Sequence, residues 1–158
     1  MKRNTGKINM DVKVKYTHED SYRLKTIKKG DWIDLAIDED IDVKVGDVVK
    51  VPLGLAMKLP DGVEAHILPR SSTFIKTGLL LTNSMGVIDN SYSGDDDEWG
   101  AVFYATRAAV VGRGTRLLQF RLVDTQATMF GDINFKEVTK LDDVNRGGFG
   151  STGSKEFK

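Results

Sequence analysis

From Met10 to about residue 140 the chain is written in short runs that alternate apolar and polar residues and stop at glycine or proline. The run "NMDVKVKY" sets Met10, Val12, Val14 and Tyr16 against Asp11, Lys13 and Lys15. Successive side chains of an extended strand point to opposite faces, so such a run buries one face and shows the other to water. Further on, "IDVKV", "GD", "VVKVPLGLAMKL", "PDG" and "VEAHIL" read as strand, turn, strand, turn, strand. "LLLTN", "AVFYAT", "TRLLQFRLV" and "ATMFGDINFKEV" continue the series. Only "SSTFIKTG" suggests a short helical turn, with Ser71 or Ser72 as its cap. Many short strands about ten residues apart predict an all-β barrel or jelly roll.

The pattern stops near residue 140. The segment "NRGGFGSTGSKEFK" carries Gly147, Gly148, Gly150 and Gly153 around one large ring, Phe149. Ordering so loose a backbone costs roughly 1–2 kcal/mol per residue. It is either a disordered tail or an arm ordered by something outside the core. The expected organisation is a β-barrel domain over residues 1–140 followed by a flexible C-terminal arm over 141–158.

A chain of 158 residues with 40% hydrophobic content supports one sizeable core and no second ordinary domain. Lysine plus arginine equals aspartate plus glutamate at 23 each, so no global field recruits nucleic acid or an anionic membrane. Neither partner is expected. Cysteine is absent, which excludes disulfides and thiolate metal sites. No apolar run approaches the roughly 20 residues of a membrane span, and the first residues lack a signal-peptide core. A soluble, cytoplasmic protein is the expectation.

Several short stretches could carry chemistry. In "ILPRSSTF", Pro69 ends a strand and Arg70, Ser71 and Ser72 offer a guanidinium, two hydroxyls and backbone N–H groups, which suit a bound phosphate, although a plain helix cap with a surface arginine is the commoner use of such residues. In "TNSMGVIDNSYSG", Val87 and Ile88 are expected to face the core, and Asp89 emerges from them into a turn. It could serve as a general base beside a cleft, or simply bond turn amides. The run Asp95, Asp96, Asp97, Glu98 reads as a solvated loop, because four consecutive side chains point in different directions and rarely converge on one ion. Gln119 lies within the apolar run "TRLLQFRLV", sharing a strand face with Leu117 and Arg121 while Arg116, Leu118 and Phe120 take the other. A buried glutamine needs a partner. His66 at strand spacing reads as structural, and no Cys or His cluster has metal-ligand spacing.

Taken in order, "GDWIDLA", "PRSS", "GVIDNSY", "GTRLLQF" and "RGGFGSTGS" resemble the motifs of the trimeric dUTP pyrophosphatases over most of the chain, from about residue 30 to 154. The wording "PRSS" and "SMGVID" is similar to the forms of Gram-positive bacteria and their phages. The resemblance implies a jelly-roll-like β-barrel, the dUTPase fold, with a mobile glycine-rich arm. It also implies hydrolysis of dUTP to dUMP and pyrophosphate by water attacking the α-phosphorus, with Mg²⁺ held by the substrate phosphates and water and no direct protein ligand. Asp89 matches the carboxylate that orients and deprotonates that water. Arg70, Ser71, Ser72 and Gln119 match the phosphate contacts. Asn83, Gly86 and Ile88 fall in the hairpin between Asn83 and Asp89 that reads uracil, and Tyr92 matches the ring that lies against deoxyribose and excludes a 2′-hydroxyl.

On the same resemblance, the arm is a lid in which Phe149 covers the base while Gly150, Ser151 and Thr152 wrap the β- and γ-phosphates. It reaches a neighbouring subunit, so a homotrimer is implied. Arg146 matches the arm's phosphate-binding arginine but lies three residues before Phe149, where the common form places its arginine five before, so the γ-phosphate contact falls either to Arg146 or to another arginine. Asp34 aligns with the first motif's acid, although Trp32 replaces that motif's glycine. Two alternatives share the fold: a dCTP deaminase-like enzyme, and a phage protein acting mainly through a regulatory protein partner.

Overall fold

A computed structural model describes residues 10–25 and 29–149. Its elements are β1 (Lys13–Tyr16), β2 (Ile33–Ala36), β3 (Ile41–Val43), β4 (Val48–Pro52), β5 (Leu55–Lys58), β6 (Val63–Pro69), α1 (Thr73–Thr77), β7 (Leu79–Leu81), β8 (Gly86–Ile88), β9 (Gly100–Ala105), β10 (Ala109–Val111), β11 (Arg116–Asp124) and α2 (Gln126–Phe130). The expected all-β, jelly-roll-like architecture is what these elements form. They build one four-stranded sheet in the order β2-β11-β6-β8, one three-stranded sheet in the order β4-β9-β7, and the pairs β1-β5 and β10-β3.

Every ladder is antiparallel, and every one joins strands that are not neighbours in the sequence. The strand-turn-strand runs read from the sequence are therefore not hairpins. "VVKVPLGLAMKL" in particular is two strands, β4 and β5, in different sheets. The break comes at Gly54, whose φ of 73° is open to glycine and strained for other residues. Space enforces it too, since a Cβ there would lie 2.7 Å from Asp38 Cγ. Asp38 is itself buried, and its charge is met by Arg113, His18 and Ser21.

Where the alternation was clearest the structure follows it. In β6, Val63, Ala65 and Ile67 are buried between half-exposed Glu64, His66 and Leu68; in β9, Ala101, Phe103 and Ala105 point inward. Trp99 and Phe120 meet edge to face in the middle of the core, ring centroids 5.2 Å apart. Fully burying a large apolar side chain is worth about 1.5–3 kcal/mol. Together with Leu35, Ile37, Leu55, Leu79 and Leu118 they fix the sheets against one another.

Three further expectations change. The register of β11 against β2 slips between Arg116 and Leu118, so Leu117 and Leu118 are both buried instead of facing opposite ways. "ATMFGDINFKEV" is not a strand. Thr125 caps α2 with its hydroxyl, and after Gly131 the described residues carry neither strand nor helix. The third holds in part: Ser72 sits at the N-cap of α1 as expected, but its side chain makes no capping bond. No helix among the described residues is long and apolar enough to cross a membrane.

Candidate active site

Arg70 follows directly on β6, and its surroundings are cationic. Its Nε forms an ion pair with Asp34 Oδ1 at 3.1 Å, while Arg116 Nη1 donates to Asp34 Oδ2 at 2.9 Å. Arg70 Nη1 also reaches the Arg116 carbonyl at 3.3 Å. One carboxylate from β2 thus fixes two guanidiniums from β6 and β11, and the triad keeps one net positive charge. Gln119 stands opposite Asp34 on one side and Leu68 on the other, half-buried, with its Nε2 donating to the Pro69 carbonyl at 3.1 Å. That bond supplies the partner a half-buried amide requires. A hollow of about 440 Å³ opens beside these residues, lined in part by Arg70, Ser72, Lys76 and Arg116. The N–H groups of Arg70 and Thr73 are spent on Leu117 and Arg70 carbonyls, whereas no acceptor among the described residues takes those of Ser71 or Ser72. Two free amides, two hydroxyls and two fixed guanidiniums make a cradle for an anion.

Asp89 leaves the end of β8, and both of its sequence readings hold at once. Its Oδ1 accepts from the Ser91 amide at 2.8 Å and the Ser91 hydroxyl at 2.6 Å, an Asx turn. These two bonds hold its carboxyl below the usual aspartate range. The group is exposed, and Oδ2 remains open to solvent chemistry. Asn90 pins the turn, its Nδ2 donating to the Pro60 and Val63 carbonyls at 2.6 and 2.8 Å.

The turn carries Tyr92, whose hydroxyl donates to the Glu98 carbonyl at 2.9 Å and whose ring is partly exposed. Asn83 is exposed between β7 and β8, strands of different sheets, so the segment from Asn83 to Asp89 links two sheets and is not a closed hairpin. Gly86 packs tightly on β6, where an added Cβ would meet Ile67 Cβ at 3.1 Å. Val87 faces outward, contrary to expectation, and only Ile88 packs on the core; strand alternation permits one of the two.

The two clusters do not meet in one chain. Ile88 pairs with Ala65, so Asp89 comes off β8 at the level of Glu64, near the start of β6. Arg70 follows the other end. At the rise of an extended strand, that separation is about 20 Å.

Arg146 and Phe149 are exposed, Phe149 with a φ of 47°. Neither touches the clusters above. Gly150, Ser151 and Thr152 lie outside the described residues. Before them, Met129, Phe130, Ile133, Phe135, Val138, Leu141 and Val144 all show large apolar side chains to solvent. His66 Nε2 lies 3.5 Å from Glu64 Oε2. The run from Asp95 to Glu98 gathers no ion site; among the described residues no cluster of three His, Asp or Glu could hold one.

The sequence named two further residues without the role that the structure gives them. Asp34 is the anchor of Arg70 and Arg116, and Arg116 is the second cation of the cradle. The signals were the place of Asp34 in the first motif and a base in "GTRLL", and which strands adjoin cannot be read from either.

A family model described as dUTPase matches residues 32–153. The chain is 45% identical to the SPbeta prophage-derived deoxyuridine 5′-triphosphate nucleotidohydrolase of Bacillus subtilis over 92% of its own length and 100% of that protein. It is 36% identical to the deoxyuridine 5′-triphosphate nucleotidohydrolase of Desulfitobacterium hafniense, covering 75% of this chain and 76% of that one. Among solved structures it is similar to the dUTPase of Streptococcus mutans, with TM-score 0.62 and 25% identity over 73% of this chain and 95% of that one. The dUTPase of Staphylococcus bacteriophage 80alpha, solved with dUPNHPP, shares the fold at TM-score 0.71 and 17% identity, covering 92% of this chain and 100% of that one.

Proposed function

The chain belongs to the dUTPase family, and from that premise we propose that it hydrolyses dUTP to dUMP and pyrophosphate at sites built between chains. The observation that carries the shared site is the separation of about 20 Å between the Asp89 turn and the Arg70 cradle along β6. A nucleotide cannot touch both within one chain. The base end of one chain must therefore face the cradle end of another. Such a head-to-tail contact is satisfied everywhere only when it closes into a ring. A homotrimer is the ring that the resemblance implies.

In that site Asp89 orients the attacking water. Its Oδ1 is spent on Ser91, which leaves Oδ2 to accept the water proton. A carboxylate held ionised is a weak base in solution, so its task is to align the water and take the proton as the new oxygen–phosphorus bond forms at the α-phosphorus. The bond to the α,β-bridging oxygen breaks, and pyrophosphate leaves with the electron pair. Arg70, Ser71, Ser72 and Gln119 meet the charge that grows on it.

Mg²⁺, carried by the triphosphate, would neutralise part of that charge. The donor set fits such an arrangement, because Asp34, the acid beside the cradle, already has both oxygens on arginine. Asn83, Gly86 and Ile88 line the uracil side, with the close packing of Gly86 keeping that backbone rigid. Tyr92 supplies the wall against a 2′-hydroxyl. The arm from residue 141 onward, with Arg146, Phe149, Gly150, Ser151 and Thr152, closes over base and phosphates. The exposed apolar stretch from Met129 to Val144, which leads into the arm, supports a crossing onto a neighbouring chain.

Pyrophosphate release from dUTP, UTP, dTTP and dCTP in the presence of Mg²⁺ tests the reading. Release from dUTP alone is expected. If dUTP stays intact, the proposal fails, and conversion of dCTP to dUTP would assign the deaminase chemistry instead.

A further inference from the structure

The acidic loop from Asp95 to Glu98 is tied at both ends. Inward, the Glu98 carbonyl accepts the Tyr92 hydroxyl at 2.9 Å. Outward, the Glu98 carboxylate accepts the Thr17 hydroxyl, and the Asp95 carbonyl accepts Lys15 Nζ at 3.2 Å. Lys15 lies in β1, and Thr17 follows it, fixed in turn by its N–H on the Gly54 carbonyl at 2.9 Å. A continuous chain of contacts thus runs from the barrel through β1 and the acidic loop to the ring of Tyr92.

The segment is also held to the barrel by Asn90 on the Pro60 and Val63 carbonyls at one end and by Trp99 N–H on the Leu55 carbonyl at 2.8 Å at the other, while the Tyr92 N–H bonds the Asp89 carbonyl at 3.0 Å within it. Between those points the Tyr92 hydroxyl is the tie that restrains a ring still 40% exposed. Rejecting a substrate for one extra hydroxyl depends on a wall that does not yield, since a side chain free to swing admits the larger sugar at little cost.

We propose that β1 sets the sugar selectivity of the site: Thr17 and Lys15 brace the acidic loop, and the loop holds Tyr92 against the deoxyribose. This rests on the reading of Tyr92 as the wall against a 2′-hydroxyl. Thr17 and Lys15 touch no substrate; they are positioning residues, and they explain the acid run as a strut.

The test compares Thr17→Val, Lys15→Met, Tyr92→Phe and the double variant Thr17→Val/Tyr92→Phe. Thr17→Val should lower the dUTP:UTP ratio of kcat/KM about tenfold, mainly by lowering KM for UTP, with kcat on dUTP within about twofold of the parent. Lys15→Met should move the ratio the same way. The double variant should go no further than Tyr92→Phe alone, because both cut one line of contacts. An unchanged ratio in Thr17→Val and Lys15→Met, or effects that multiply in the double variant, would overturn the brace. Amide hydrogen exchange across residues 92–98 without nucleotide separates the two ideas: faster exchange in Thr17→Val is expected, and unchanged exchange also overturns the brace. Faster exchange in a protein whose parent does not prefer dUTP would instead overturn the reading of Tyr92 and with it the selectivity role.

Discussion

Arg70 and Asp89 stand at opposite ends of one strand: Arg70 follows the last residue of β6, while Asp89 leaves β8 at the level of Glu64, near the first. On the proposed site between chains, a chain with either residue defective supplies the other half of a site to its neighbour. Asp89→Asn and Arg70→Ala should each be inactive alone. Unfolded and refolded together in equal amounts, they should recover about a quarter of parent activity if random trimers form, since three in four trimers are mixed and each holds one intact site. Recovery near zero in mixed oligomers would mean that both residues serve a site within one chain.

Asp89→Asn should abolish turnover while dUTP binding stays within about tenfold, because the amide cannot accept the water proton but keeps the shape. Ser91 stabilises the ionised carboxylate, so its hydroxyl keeps the acid limb of kcat/KM at low pH. Ser91→Ala removes that bond, raises the Asp89 pKa toward the ordinary value, and should move the acid limb to higher pH. A pH profile that superimposes on the parent would separate Asp89 from the rate-limiting ionisation.

Asp34 makes no proposed contact with substrate, and its effect should still fall on phosphate binding. Asp34→Asn weakens the hold on Arg70 and Arg116 and should raise KM for dUTP about tenfold, with a smaller change in kcat. Loss of stability with unchanged KM in steady-state assays would make the triad purely structural.

Deletion after Asn145 should raise KM and lower kcat together, as expected of a segment that both binds and encloses the phosphates. Unchanged steady-state constants in the truncated protein would remove the arm from the site.

Gly54→Ala should destabilise the fold by roughly 1–3 kcal/mol. The residue would be held at a φ of 73°, with its methyl carbon driven into Asp38. Thermal unfolding measures it, and an unchanged midpoint would show that the passage from β4 to β5 relaxes freely.

Much of this was legible in the chain. Alternation found β1, β6, β9 and β11, because burial of one strand face is written residue by residue; the ordered motifs identified the family through side chains whose chemistry is local. Alternation misread β11 at Leu117, since a bulge depends on the partner strand, and it extended a strand past Asp124, where Thr125 and Gly131 make a helical turn and a stop.

What the sequence by itself determined was an all-β chain, most of its inward faces and the residue types of its candidate site, because each follows from the period and chemistry of a few adjacent positions. Tertiary structure alone decided which strands pair, that Asp34 joins Arg70 to Arg116, that Tyr92 is tied through Glu98 to β1, and that base and cradle are too far apart for one chain. These are contacts between residues tens of positions apart. Their partners are chosen by how the sheets close around a common core, which no local pattern encodes.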